Sequence, residues 1–241
     1  MPIGQYLENE GIWISSGKMI NTDYVHKFGA VPSMSVNTTG TIWDVDDTLY
    51  PWSAFATPGV LTIPAVNAAD NNNIVRVYGL DADWNPLTEE FTVSSSGTVT
   101  GTQTFKRVFR AYFHDGNEKN IGDIDIQRGG TTIARISAGK AQTLMAVYSV
   151  PKGYNAFIAQ GTASIQSGGD ATIDMFIRYG DRSSYRIGHT AEVTSGGNYN
   201  YKFTIPPMIP EKSDIDIRAS VRSNNARVTA AFDIILVKAG P

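Results

Sequence analysis

Along Ser213 to Arg222, SDIDIRASVR, apolar side chains fall on every second position: Ile215, Ile217, Ala219 and Val221 alternate with Asp216, Arg218, Ser220 and Arg222. A period of two sends alternate residues to opposite faces of an extended ribbon, so this stretch predicts a strand with one face in a core and the other in water. The same beat runs through Ile173, Met175, Ile177 and Tyr179. It recurs at Ile74 or Val75 with Val77, and at Ile124 and Ile126, with Ile121 one step out of phase. Unbroken apolar runs at Leu144 to Val150 and Phe232 to Val237 read as strands covered on both faces.

Between these segments stand turn signals, roughly 8 to 12 residues apart, as an all-β sandwich or barrel requires. They include Gly79 to Pro86, Asp115-Gly116-Asn117, Arg128-Gly129-Gly130, Pro151-Lys152-Gly153, Ser167-Gly168-Gly169 and Ser223-Asn224-Asn225. No window offers an amphipathic helix longer than about two turns. The pattern predicts an all-β fold, an antiparallel β-sandwich of jelly-roll-like kind.

Two segments echo one another. Asp123-Ile-Asp-Ile-Gln127 is followed by Ala134-Arg135-Ile136, and Asp214-Ile-Asp-Ile-Arg218 by Ala226-Arg227-Val228. Both read as hairpins with polar tips, either two related β modules or a convergence of strand-and-turn chemistry; the chain is divided into a β module over 56–130 and a sandwich module over 131–241. Residues 1–55 are less regular, and Trp13, Tyr24, Phe28, Trp43, Tyr50, Trp52 and Phe55 lie on segments with no evident partner strand. Two placements fit this N-terminal arm: packing on a neighbouring subunit, or folding as a lid across its own sandwich.

Composition strengthens the strand reading. The 241 residues include 23 Ile, 17 Val and 22 Thr but only 7 Leu. Cβ-branched side chains lose rotamer freedom in a helix and fit a pleated surface, whereas leucine favours helices. A chain of this length buries about 72% of the surface it exposes when unfolded, ample for one large or two small cores. Its 20 Lys and Arg against 23 Asp and Glu leave a net charge of -3 with no long run of either sign, so neither nucleic acid nor an acidic membrane is an expected partner. The absence of cysteine excludes disulfides, thiolate nucleophiles and zinc-thiolate clusters. His26, His114 and His189 lie far apart, without metal-ligand spacing. The N-terminus has an early acidic pair instead of a basic region before an apolar one, so no secretory signal is expected, and no apolar stretch approaches the ~20 residues of a membrane span. The sequon Asn37-Thr38-Thr39 is therefore expected to have no consequence.

One stretch argues for chemistry. TIWDVDDTLYP, residues 41–51, resembles the first motif of haloacid-dehalogenase-type phosphotransferases, which would make Asp44 the nucleophile and Asp46 the proton-handling partner beside Mg²⁺. That nucleophile must end a buried parallel strand and face a helix N-terminus. The preceding VNTTGTIW is too polar for such a strand. Gly169-Asp170-Ala171-Thr172-Ile173-Asp174 fits the spacing of that family's late metal-binding motif, but Asp170 falls in a turn and Asp174 on a strand face. No GxSxG, P-loop or GxGxxG is present either. The chain is thus expected not to be an enzyme, with no catalytic, cofactor-binding or metal residue assigned and no cofactor.

From Ile74 onward, the succession IVRVYGLDADWNPLTEEFTV, TFKRVFRAY, ARISAGKAQTLMAVYSVPKGYNAFI and the closing FTIPPMIPEKSDIDIRASVRSNNARVTAAFDIILV resembles virion structural proteins of tailed bacteriophages, especially marine and cyanobacterial ones. YVHKFGAVPSM and the IWD…YPW stretch extend the resemblance over nearly the whole chain. It implies a non-enzymatic particle component, assembled in the host cytoplasm and located in the virion. Capsid decoration or cementing is the role it favours, with a place in the tail or a fibre as the alternative. The implied partners are further copies of the chain, as in a trimer, and the major capsid protein or tail proteins. A fibre role would use exposed aromatics to bind host-surface glycan, with Trp84, Tyr185, Tyr199 and Tyr201 as candidates.

Overall fold

The computed structural model describes residues 11–180, 182 and 184–240, and within them the chain is built from antiparallel strands. The first two are β1 (Thr22–Met34) and β2 (Thr39–Thr41). Then follow β3 (Thr62–Ile63), β4 (Ile74–Leu80), β5 (Pro86–Thr92), β6 (Val99–Thr100), β7 (Arg107–Asp115), β8 (Ile124–Arg128) and β9 (Thr131–Ile136). Next come β10 (Val147–Ser149), β11 (Tyr154–Ile165), β12 (Asp170–Arg178), β13 (Arg186–Val193) and β14 (Asn198–Lys202). The last are β15 (Met208–Ile209), β16 (Asp214–Ser223) and β17 (Ala226–Lys238). Residues 11–15 are helical, and short 3-10 turns occupy Trp52–Phe55 and Ala68–Asp70.

The long strands form two facing sheets, in the orders β1-β17-β11-β14 and β10-β16-β12-β13. Numbered among themselves in chain order, these strands run 1-8-3-6 in one sheet and 2-7-4-5 in the other, which is the strand order of a jelly roll. β2 extends the second sheet beside β16, and β15 pairs with β11. Between the sheets lies an aliphatic core that includes Ile158, Met175, Ile177, Ile217, Phe232 and Ile234.

The segment between β2 and β10 leaves the sandwich and builds a second unit. It consists of a four-stranded sheet, β6-β3-β8-β9, and a three-stranded one, β5-β4-β7. Its separate core is richer in aromatics: Trp43, Tyr50, Phe55, Phe91 and Phe105 pack with Ile124, Ile126 and Ile133. The jelly roll therefore carries an insert running from about residue 43 to residue 145, and the chain returns to complete the sandwich.

Several expectations are met: β4, β12 and β16 fall where the periodicity put them, and β17 contains the apolar run Phe232 to Val237. Three are corrected. Residues 22–34, assigned to an irregular arm, form one of the longest strands and pair with β17 from Thr22↔Val237 to Met34↔Ala226. The module boundary at residues 130 and 131 cuts the β8–β9 hairpin, whose register runs from Ile124↔Ile136 to Arg128↔Thr131. Nor do the two echoing segments match, because β16 and β17 lie in opposite sheets and arch across the core instead of pairing.

Candidate functional site

The seam between sandwich and insert holds the densest ionisable chemistry. Asp214 and Asp216 lie on β16 at positions that alternation assigned, for Asp216, to water; both carboxylates are fully buried because the insert covers that face. Asp214 accepts from Arg107 Nε at 2.8 Å and Nη2 at 3.0 Å, from Ser149 Oγ at 2.5 Å, and from Arg178 Nε at 3.0 Å. Asp216 accepts from Thr41 Oγ1 at 2.8 Å, Trp52 Nε1 at 3.0 Å and Arg218 Nε at 2.9 Å. Aromatic faces cover the guanidinium groups: Arg107 lies 4.7 Å from the Trp84 ring, and Arg178 and Arg218 lie 5.0 and 4.9 Å from Tyr185. Planar, weakly hydrated guanidinium suits such stacked, forked positions. Charge-assisted bonds saturate both carboxylates, so this cluster acts as a joint between units.

The dehalogenase-like residues are dispersed by their neighbours. Asp44 leaves β2, an antiparallel strand of three residues, and accepts from Ser137 Oγ at 2.7 Å and Leu144 N at 3.3 Å. Burial pushes its carboxyl up to about 6 against the lowering effect of those bonds. Asp46 is turned to its own loop, accepting from Thr48 N at 2.9 Å and Thr48 Oγ1 at 2.6 Å. Asp170 opens β12 and ties down Ser195 and Ser223, while Asp174 sits along that strand. Among the described residues, no group of three or more His, Asp or Glu is arranged to hold a metal ion.

The aromatic candidates are placed differently from a solvent-facing platform. Trp84 is buried, at φ 67° in the β4–β5 turn, and its ring lies over Arg107. Tyr185 belongs to the seam, where burial and then the nearby Asp214 push its phenol upward. Tyr199 and Tyr201 pack half-buried on the sandwich core, with ring centres 5.8 and 4.6 Å from His189.

A second feature escaped the periodicity. A cleft of about 800 Å³ opens between the first half of β1 and β7 of the insert. Lys27 lines it and is only 5% exposed; its ammonium donates to the Phe109 carbonyl and lies 5.9 Å from the Phe109 ring. Burial, reinforced by nearby Arg110, lowers the lysine to about 7. No carboxylate among the described residues forms an ion pair with it. Lysine in a strand pattern reads as a solvent-facing residue, so only the insert's overlap with β1 reveals this one.

No protein-family model and no curated protein matches the chain. Among solved structures, it is similar to a chain of the cowpea mosaic virus top component, a naturally occurring empty particle, at 6% identity and TM-score 0.25, covering 76% of this chain and 86% of that one. It is also similar to a chain of infectious bursal disease virus, Gx strain, at 8% identity and TM-score 0.27, covering 91% and 72%. Scores this low describe a weak likeness to viral capsid proteins and leave the fold assignment resting on the strand order itself. Among the described residues, no helix is long and apolar enough to cross a membrane.

Proposed function

We propose that this chain is a non-enzymatic structural component of a virus particle. The particle is that of a tailed bacteriophage, and the role is decoration or cementing of the capsid by a homo-oligomer such as a trimer. The supporting observation is the way buried chemistry is spent: the seam saturates its charges to weld a jelly roll to its insert, a rigid unit suited to repetition. Jelly rolls serve in capsids but also in lectins and cupins, so the fold by itself does not decide the role. The sequence resemblance directs the reading to the phage virion. Residues 11–20, which precede β1, hold Ile12, Trp13 and Ile20 outward at 63%, 46% and 85% exposure, and contact with a neighbouring subunit would cover them. A place in the tail or a fibre is the runner-up.

Truncation immediately before Thr22 tests this. The protein is quantified in purified particles by mass spectrometry, and its position is read from electron microscopy of particles carrying a labelled copy. The full chain is expected at fixed copy number on the capsid, and the truncated chain to remain folded but absent from particles. Absence of the full chain from particles overturns the proposal, while label on the tail favours the runner-up.

A further inference from the structure

Among the described residues, clefts lined by lysine or arginine occur both beside the seam and over β1. The smaller, beside the seam, is lined by Lys106, Arg107, Arg178 and Arg182, of which Arg107 and Arg178 share the Asp214 carboxylate and Lys106 lies 5.8 Å from the Trp84 ring. The larger is the cleft over β1, where Lys27 is buried with one carbonyl acceptor and no carboxylate partner among the described residues. Buried charges are ordinarily paired, because leaving one unpaired in a dry site is costly. Arg110 and Lys140 also line this cleft, while Asp23 is its one carboxylate. The lining of this open cleft thus carries more cations than carboxylates, an excess that an anion would meet.

The rest of the lining limits what that anion is attached to. Tyr78 and Tyr112 stack at 5.4 Å with their hydroxyls 2.7 Å apart, and Arg110 lies 5.8 Å from the Tyr112 ring. The Arg110 Nη2 donates to Gln142 Oε1 at 3.4 Å, which leaves the rest of its donor fork free to meet a carboxylate. Phe109 and Tyr148 pack at 4.9 Å on the other side of the lysine. Aromatic faces, phenol hydroxyls and a side-chain amide together suit a polyhydroxylated ring with C–H faces. The volume of about 800 Å³ lies within the roughly 300–1,000 Å³ of small-molecule sites. Among the described residues, no long helix terminus or glycine nest faces the cleft to receive a polyphosphate.

We propose that this cleft binds a carboxylated sugar unit, its carboxylate meeting Lys27 and Arg110 and its ring resting on the aromatic lining. The site is distinct from the aromatic positions suggested by the sequence, and its occupancy does not depend on where the protein sits in a particle.

The test is calorimetric titration of the full chain with oligosaccharides containing glucuronate, galacturonate or sialate. A neutral glucose oligosaccharide and a glutamate-rich peptide of matched charge serve as comparisons. At least one acidic sugar should bind saturably, at least tenfold tighter than either comparison. Lys27→Met and Arg110→Gln should each weaken it at least tenfold, with melting curves showing a folded protein. Arg110 is exposed, so its variant retains a folded readout if the lysine variant does not. Absence of binding by every acidic sugar, equal binding by the neutral one, or unchanged affinity in the folded variants overturns the proposal. Tighter binding of the peptide also overturns it and assigns the cleft to a protein segment.

Discussion

The guanidinium of Arg107 on β7 and the carboxylate of Asp214 on β16 face each other as a two-bond fork, Nε to Oδ1 at 2.8 Å and Nη2 to Oδ2 at 3.0 Å. One residue belongs to the insert and the other to the sandwich, and both are buried. An apolar seam of similar area would allow the two units to slide against each other. A forked ion pair has one good geometry, so it fixes their relative placement. Arg178, from the neighbouring strand β12, brings a second guanidinium to the same carboxylate.

Removing one member of this group should therefore cost far more than replacing the group. Asp214→Ala leaves Arg107 and Arg178 buried without their shared partner, and a loss of about 3–5 kcal/mol is expected. The triple replacement Arg107→Met, Arg178→Met and Asp214→Leu should recover most of that loss. Guanidinium denaturation of the three proteins checks the order; a single variant no less stable than the triple one contradicts it.

Asp44 gives a pH signature. Its folded carboxyl is raised from 3.8 to about 6, so the folded state holds the proton more tightly than the unfolded chain does. That contribution is fully present below pH 3.8, falls away as pH rises towards about 6, and is gone above. The swing is about 2–3 kcal/mol, at 1.36 kcal/mol per pH unit. Asp44→Asn should flatten this part of the stability profile relative to the unaltered chain. Parallel urea titrations at pH 4, 5, 6 and 7 would measure the difference, and identical slopes would refute the assignment.

Lys27 acts in the opposite part of the pH range. Its folded value is lowered from 10.5 to about 7, so the penalty of burying a charged ammonium is complete below about pH 7 and fades as pH rises towards 10.5. Lys27→Met should be more stable than the unaltered chain at pH 6, by about 1–3 kcal/mol once the Phe109 carbonyl has lost its donor. The advantage should shrink towards pH 10. Arg110 shares the cleft and should be kept in both proteins, because its charge contributes to the lowering.

The same lysine explains why β1 was illegible in the sequence. Val25, Lys27, Gly29 and Val31 occupy alternate positions, but the second is a cation and the third has no side chain, so the apolar beat disappears. Gly29 is needed because a Cβ there would sit 2.2 Å from the Ile42 carbonyl oxygen. β12, β16 and β17 were legible because their inward positions are Ile, Val, Leu, Met, Phe and Ala throughout. The seam was hidden for another reason. Alternation assigns a residue to a face, and it carries no information about whether a segment some 100 residues away will cover that face.

The phosphatase-like stretch can be tested as architecture. Gly40 lies beneath the loop it precedes: an added Cβ would stand 2.1 Å from the Asp47 carbonyl oxygen. The chain passes this close because Thr41 N donates to Thr48 O at 3.0 Å and Tyr50 N to Thr41 Oγ1 at 2.8 Å, folding residues 42–49 back on β2. Thr41 Oγ1 also reaches Asp216, so the loop is tied to the seam. Backbone cannot yield here as the end of a flexible side chain would, and Gly40→Ala should cost about 1–3 kcal/mol or more. Asp46→Ala removes only the two exposed turn bonds from Thr48 and should cost under about 1 kcal/mol. Thermal melts of the two variants decide the matter: an architectural stretch ranks Gly40 above Asp46, and the reverse order would mean the loop is held by its carboxylates.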